Sequence, residues 1–157
     1  MSADTAVKGL KMAPRLVECP RCVPVCLTPS GILDSIGNTP LIRLRAASEE
    51  TGCEIYAKAE FLNPGGSIKD RIAKAIIETA EATGHLKPDS TILEVTSGNT
   101  GIALSMVGSV KGYRVVIMLP RTVSEERRYM ITSFGAELEL IDEVNRIQQA
   151  VEDSIER

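Results

Sequence analysis

The second half of this chain alternates short apolar segments with helix-like segments, and this order limits the possible folds more than any other feature. Each apolar segment has the length and composition of a strand, and each is followed by a helical pattern. The strand–helix pairs are 91–95 with 100–111, 114–119 with 124–134, and 136–141 with the segment from 144 onward. Such alternation is typical of parallel strands joined by helices. The sequence therefore predicts an α/β fold with a parallel twisted sheet flanked by helices.

The segment before this repeat predicts smaller elements. We expect a short helical piece, a turn, two strands and a longer helix, at 31–36, 37–40, 41–44, 54–60 and 68–83. The longer helix should end before Gly84, and its buried side should consist of Ile68, Ile72, Ala75, Ile76 and Ala80. Cys53 should pack as a small hydrophobic residue, whereas His85 should be a solvated loop residue.

The start of that helix carries a lysine in an unusual position. In the segment NPGGSIKDR (63–71), Ser67 and Asp70 have the spacing of a capping box, so the helix should begin at Ile68 and Lys69 should lie in its first turn. A cation there opposes the helix dipole, which favours the free amine that attacks carbonyl groups. The alternative is a glycine turn followed by a lysine that points to water.

A second motif follows the strand at 91–95. In TSGNTG (96–101), three hydroxyls and one amide lie within five residues at a helix start, where backbone N–H groups are unpaired. These donors predict a cup for a carboxylate or phosphate. The segment is neither a dinucleotide fingerprint nor a P-loop, because it lacks G-x-G-x-x-G and G-x-x-x-x-G-K-[ST].

These motifs, with GNTPL upstream and KGYRVVIMLP downstream, resemble the cysteine synthase (O-acetylserine sulfhydrylase) family. The resemblance covers about residues 32–141 and implies a pyridoxal-phosphate enzyme with the tryptophan-synthase-β-like fold (fold type II). It implies that Lys69 forms the Schiff base with pyridoxal 5′-phosphate and that Asn99 binds the cofactor's phenolic oxygen. The residues that would hold the amino-acid carboxylate are Thr96, Ser97, Gly98, Asn99 and Thr100.

The implied reaction is β-replacement, in which O-acetylserine and sulfide give cysteine and acetate. Two alternatives stay open. Cystathionine β-synthase has nearly the same lysine and asparagine motifs, although NPGGS favours cysteine synthase. A pseudo-enzyme that only binds a partner is the alternative outside catalysis.

Composition limits the partners of the chain. Of its 157 residues, 43% are hydrophobic and 25% charged, and the net charge of −3 offers no basic surface for nucleic acid. No apolar run reaches the ~20 residues of a membrane span, so we expect a cytoplasmic protein without membrane contact. The family resemblance implies a homodimer for a full-length protein.

Both ends of the chain differ from its middle. Residues 1–30 have no clear period and are expected to be a flexible tail; their Cys19, Cys22 and Cys26 do not complete the four ligands of a zinc site. Residues 31–157 should form the N-terminal part of the cofactor-binding domain. The apolar stripe at its end, from Val144 to Ile155, continues to Arg157 without a cap. We therefore expect an N-terminal portion that lacks the phosphate-binding half and is inactive alone.

Overall fold

The computed structural model describes residues 31–96 and 98–141, and the described residues from Ile32 onward belong to one compact unit. Its helices are α1 to α4, at Arg45–Thr51, Lys69–Ala82, Asn99–Lys111 and Glu125–Ser133. Its strands are β1 to β5, at Leu41–Arg43, Tyr56–Lys58, Thr91–Val95, Arg114–Pro120 and Glu137–Ile141. Two 3₁₀ turns lie at Ile32–Ser35 and Glu60–Leu62.

The predicted parallel sheet is present. β3, β4 and β5 form a three-stranded parallel sheet in sequence order, with Thr91 opposite Arg114 and Val116 opposite Glu137. Helices α3 and α4 connect these strands, as the strand–helix alternation requires. The α/β fold class is thereby confirmed for this part of the chain. The predicted segment from 144 onward lies outside the described residues.

The core lies between α3 and the sheet. Two glycines on α3, seven positions apart and therefore on one face, allow the helix to approach β4 closely. A Cβ on Gly108 would lie 2.5 Å from Val115 Cγ2, and one on Gly101 would lie 3.0 Å from Ile117 Cγ2. The side chains in the core with no solvent exposure are Ala103, Val107, Ile117, Leu119 and Ile131.

The first part of the chain matches its predictions less well. β1 and β2 form a separate antiparallel pair, and β2 is only three residues long because a 3₁₀ turn follows Ala59. Helix α1 was not predicted, since its sequence RAASEET has no apolar stripe and buries only Ser48. Cys53 is exposed, so its predicted packing role is wrong.

The buried side of α2 also differs from the prediction. Ala73 and Ile77 are buried, whereas Ile68, Ile72 and Ile76 are 51%, 42% and 54% exposed. The end of the helix is as predicted, because Gly84 follows it with a positive φ of 75°. His85 is an exposed loop residue, as expected. None of the described helices is long and apolar enough to cross a membrane.

Candidate active site

Lys69 is the first residue of α2. The N-cap residue is Ile68 rather than the predicted Ser67, although Ser67 Oγ accepts a hydrogen bond from the Lys69 backbone N–H at 3.1 Å. The helix begins one residue later than predicted, although Ile68 already has right-handed helical backbone angles. The cationic side chain therefore lies in the first turn, where the helix dipole opposes its charge.

Asp70 does not complete the predicted capping box. Its carboxylate accepts a hydrogen bond from the Gly65 backbone N–H and packs so closely that a Cβ on Gly65 would lie 2.4 Å from Oδ1. Only glycine therefore fits at position 65, while Gly66 has a positive φ of 79°. Asp70 has no solvent exposure, and this burial raises the pKa of its carboxyl group. The hydrogen bond between Asp70 and Gly65 thus links the first turn of α2 to the glycine loop that precedes it.

The amine of Lys69 differs from that of its lysine neighbours. Lys58 Nζ donates to the Thr39 carbonyl, and Lys74 Nζ donates to the Leu33 carbonyl at 2.9 Å. Lys69 is partly buried, yet within 31–96 and 98–141 its Nζ makes no hydrogen bond or ion pair. An amine without a partner remains available to react with a carbonyl compound.

The second predicted motif lies where β3 ends and α3 begins. Gly98 precedes α3, its N–H donates to Thr96 Oγ1 at 3.4 Å, and Asn99 is the exposed first residue of the helix. The Asn99 and Thr100 side chains make no hydrogen bonds with other residues in the described part of the chain. Their polar atoms are thus free to bind an anion beside the helix N-terminus. Ser97 lies outside the described residues.

The two motifs lie at the same end of a parallel helix pair. Helix α2 precedes β3 in the chain, and α3 follows it. They contact each other, and Lys111 Nζ at the end of α3 lies 2.7 Å from Glu81 Oε2 in the last turn of α2. With their last turns joined and lengths of 14 and 13 residues, their first turns share the opposite end. The structure therefore places Lys69 and Asn99 at one end of the pair.

A polar cluster that was not predicted from the sequence is centred on Arg71, two residues after Lys69. Arg71 binds both carboxylate oxygens of Glu60, with Nε at 2.8 Å and Nη2 at 2.9 Å. Glu60 also accepts from Thr39 Oγ1 at 2.6 Å and from Asn63 Nδ2 at 2.9 Å. These hydrogen bonds, with that of Arg71 contributing most, lower the pKa of Glu60 to about 2. The four residues come from three separated segments, so no local motif indicates them.

One arginine of α4 lies near the second motif. Arg127 is exposed, but its Cζ and Nη1 lie 3.8 Å from the position of a Cβ on Gly98. Arg128 is partly buried and its Nη2 donates to the Arg121 carbonyl. The guanidinium of Arg127 therefore adds positive charge beside the glycine that precedes α3.

No group of three or more potential metal ligands occurs among residues 31–96 and 98–141. Cys19, Cys22 and Cys26, for which a zinc or iron–sulfur site was considered, lie outside these ranges. The described donors of the candidate site are instead an amine, an amide, hydroxyls and backbone N–H groups. This set suits an organic ligand that carries a carbonyl and an anionic group.

Known proteins resemble this chain over most of its length. A cysteine synthase from Dictyostelium discoideum is 52% identical over 112 residues, which cover 71% of this chain and 30% of that protein. The cystathionine beta-synthase of Saccharomyces cerevisiae is 51% identical over 110 residues, covering 68% of this chain and 22% of that protein. A crystal structure of O-ureido-L-serine synthase aligns with a TM-score of 0.69 at 48% identity, covering 73% of this chain and 36% of that chain.

The chain thus spans about a third or less of the length of the curated relatives described above. Residues 32–157 match the family model described as "Pyridoxal-phosphate dependent enzyme". This match includes both the lysine motif and the anion cup, and it covers well over half of the chain. The chain therefore belongs to the family of pyridoxal-phosphate dependent enzymes.

Proposed function

We propose that this chain supplies Lys69 and the carboxylate cup of an enzyme that converts O-acetylserine and sulfide into cysteine and acetate. The observation that carries the proposal is the parallel pairing of α2 and α3, which brings Lys69 and Asn99 to one end of the helix pair. The similarity to the cysteine synthase of Dictyostelium discoideum supports the choice of reaction. The proposal includes a cytoplasmic location and a homodimer for the full-length protein.

The donors at this end suit pyridoxal phosphate. Lys69 offers an amine without a partner among the described residues, and Asn99 offers an exposed amide that can bind the oxygen on the pyridine ring. When bound, the pyridine ring supplies an electron sink for the charge that develops at the substrate Cα. We assign no anchor for the cofactor phosphate, because the loop 96–100 is proposed to hold the substrate.

The substrate is held by its carboxylate. The N-terminus of α3 directs backbone N–H groups and partial positive charge toward an anion. The consecutive residues at this helix start are Thr96, Ser97, Gly98, Asn99 and Thr100. Binding at this point would direct the substrate Cα toward the start of α2. The Lys69 Nζ would then remove the Cα proton, so that the acetate group leaves from Cβ and sulfide adds there.

A chimeric enzyme tests this function. The matching segment of the Dictyostelium cysteine synthase would be replaced by this chain, and cysteine release from O-acetylserine and sulfide would be measured. We expect turnover by the chimera, its loss in Lys69→Ala, and none by residues 1–157 alone, because the matched 112 residues cover only 30% of that relative. A folded chimera whose activity survives Lys69→Ala would refute the role of Lys69.

Cystathionine formation is the second candidate, since the similarity to the Saccharomyces cerevisiae cystathionine beta-synthase is nearly equal. Both candidates require the same lysine and the same carboxylate cup. They differ in the sulfur nucleophile, so the chimera would be assayed with sulfide and with an amino-acid thiol in parallel. A clear preference for the thiol would replace cysteine synthesis as the proposed reaction.

A further inference from the structure

We propose that Arg71 and Glu60 are positioning residues for Lys69, an inference that rests on the proposed function. Their ion pair joins α2 to the 3₁₀ turn at Glu60–Leu62 through two parallel hydrogen bonds. Such a bidentate contact restrains direction as well as distance, because the planar guanidinium must face the planar carboxylate. The pair therefore limits how the first turn of α2 can rotate or shift.

The carboxylate of Glu60 is itself held in place from other segments. Thr39 Oγ1 donates to Oε1 at 2.6 Å, and Asn63 Nδ2 donates to Oε2 at 2.9 Å. Asn63 in turn accepts from the Gly37 N–H at 2.8 Å. Thr39 and Asn63 are only 7% and 3% exposed, so these contacts are shielded from competing water. Arg71 therefore binds a carboxylate that Thr39 and Asn63 hold in place.

Helix geometry converts this anchor into an orientation for Lys69. Successive residues on an α-helix are about 100° apart, so Lys69 and Arg71 point in directions about 200° apart. Asp70 lies between them and is buried against Gly65. The contacts of Asp70 and Arg71 fix the rotation of this turn. The Lys69 side chain must therefore point away from Glu60. This agrees with the absence of any partner for its amine in the described part of the chain.

The same chain contains a matched control. Arg43 binds Glu54 with the same bidentate geometry, Nε at 2.8 Å and Nη2 at 2.8 Å, but this pair links β1 to the segment before β2. Among residues 31–96 and 98–141, neither Arg43 nor Glu54 makes a hydrogen bond or ion pair with α2. Removing either arginine deletes one cation and its two hydrogen bonds to a glutamate, and removing Arg71 also deletes a hydrogen bond from Nη2 to Thr39 Oγ1 at 3.2 Å. Only the removal of Arg71 should alter the environment of Lys69.

The experiment measures the chemical reactivity of Lys69 without turnover. Arg71→Gln, Glu60→Gln and Arg43→Gln chains would be treated with pyridoxal phosphate and borohydride, and labelling at Lys69 would be quantified against the exposed Lys87 by peptide mapping. We expect the Lys69 to Lys87 ratio to fall roughly tenfold in Arg71→Gln and Glu60→Gln, since small displacements of a reacting group are costly. In Arg43→Gln it should stay unchanged.

The outcomes separate this inference from the proposed function. An unchanged labelling ratio in a folded Arg71→Gln chain, as judged by circular dichroism, would overturn the positioning role. If Arg71→Gln does not fold, Glu60→Gln decides, because it keeps one oxygen that can accept from Thr39 while it loses the charge and one acceptor oxygen. A parent chain that shows no preference for Lys69 would count against the proposed function itself.

Discussion

Replacing Gly101 by alanine should destabilise the protein and disturb the carboxylate cup together. The added Cβ would lie 2.7 Å from Thr96 Cγ2, 3.0 Å from Ile117 Cγ2 and 3.4 Å from Ile131 Cδ1. Ile117 and Ile131 are fully buried and have little space into which they can move. Thr96 is branched at Cβ, so its methyl group moves only if the side chain rotates. That rotation would displace the Oγ1 atom that accepts from the Gly98 N–H.

Two opposing contributions, steric overlap and helix propensity, set the change in the free energy of unfolding for Gly101→Ala. Overpacking of a filled core costs about 1–3 kcal/mol, whereas exchange of glycine for alanine within a helix gains up to about 1 kcal/mol. The steric term is the larger, because a contact of 2.7 Å is well inside the ordinary separation of carbon atoms. We expect a net loss of about 0.5–2 kcal/mol in the free energy of unfolding. Urea unfolding followed by far-ultraviolet circular dichroism suits a chain without tryptophan.

Ser109→Ala is the control for helix propensity. Ser109 lies on the same helix but is exposed, so alanine there should change the free energy of unfolding by at most about 0.5 kcal/mol, in the stabilising direction. The comparison separates packing from propensity. A Gly101→Ala chain as stable as the Ser109→Ala chain would show that α3 can move away from β4 without cost, and would refute the packing argument.

Two further predictions concern α2 and its surroundings. Ile77→Ala should cost about 2–5 kcal/mol and Ile76→Ala much less, because Ile77 is 2% exposed and Ile76 54% exposed; equal losses in urea unfolding would contradict the observed buried face. The folded structure lowers the pKa of Glu60 from 4.5 to about 2, so Glu60 binds fewer protons in the folded than in the unfolded state. Its contribution to stability is therefore present above pH 4.5 and is lost as the pH falls toward 2. The stability difference between the parent and Glu60→Gln should therefore narrow between pH 5 and pH 2.5, and a constant difference would show that Glu60 does not titrate with folding.

The parallel sheet could be predicted because its signals are local and strong. β3 has the predicted bounds, and β4 is one residue longer than predicted. The glycines that follow the ends of α3 and α4, Gly112 and Gly135, both have positive φ angles. Runs of β-branched and apolar residues, followed by helices that end in glycine, leave few other interpretations.

The buried face of α2 could not be predicted because the helix has two apolar sides. Ile68, Ile72 and Ile76 form the more hydrophobic side, and periodicity therefore selects it. The side that packs in the core carries the smaller Ala73 with Ile77. Periodicity identifies an apolar stripe, but the choice between two stripes depends on which neighbour is present. That information is not contained in the helix sequence.

In the candidate site, too, the contacts that could not be predicted are those that depend on how separate segments fold together. Ser67 was predicted as the helix cap from its spacing to Asp70; its Oγ accepts from the Lys69 N–H, but the N-cap residue is Ile68. The carboxylate of Asp70 was assigned to the capping box, but it binds Gly65. This bond depends on how the glycine loop folds back, since Gly66 adopts a positive φ. The Arg71–Glu60 pair depends on a contact across eleven positions, for which spacing gives no rule.

The residues next to Lys69 make contacts within the fold, whereas the amine of Lys69, for which we propose a reactive role, makes none with the described residues. Asp70 at a helix start is favoured by the helix dipole and is buried, and Arg71 binds the shielded carboxylate of Glu60. Lys69, between these anchors and the cap, opposes the dipole at a cost of about 0.3–1 kcal/mol and gains no partner from the described residues in return. Local rules are most often broken where function requires it. A lysine that opposes the dipole of its own helix, on a turn held by both following residues, supports the reactive role that we propose for Lys69.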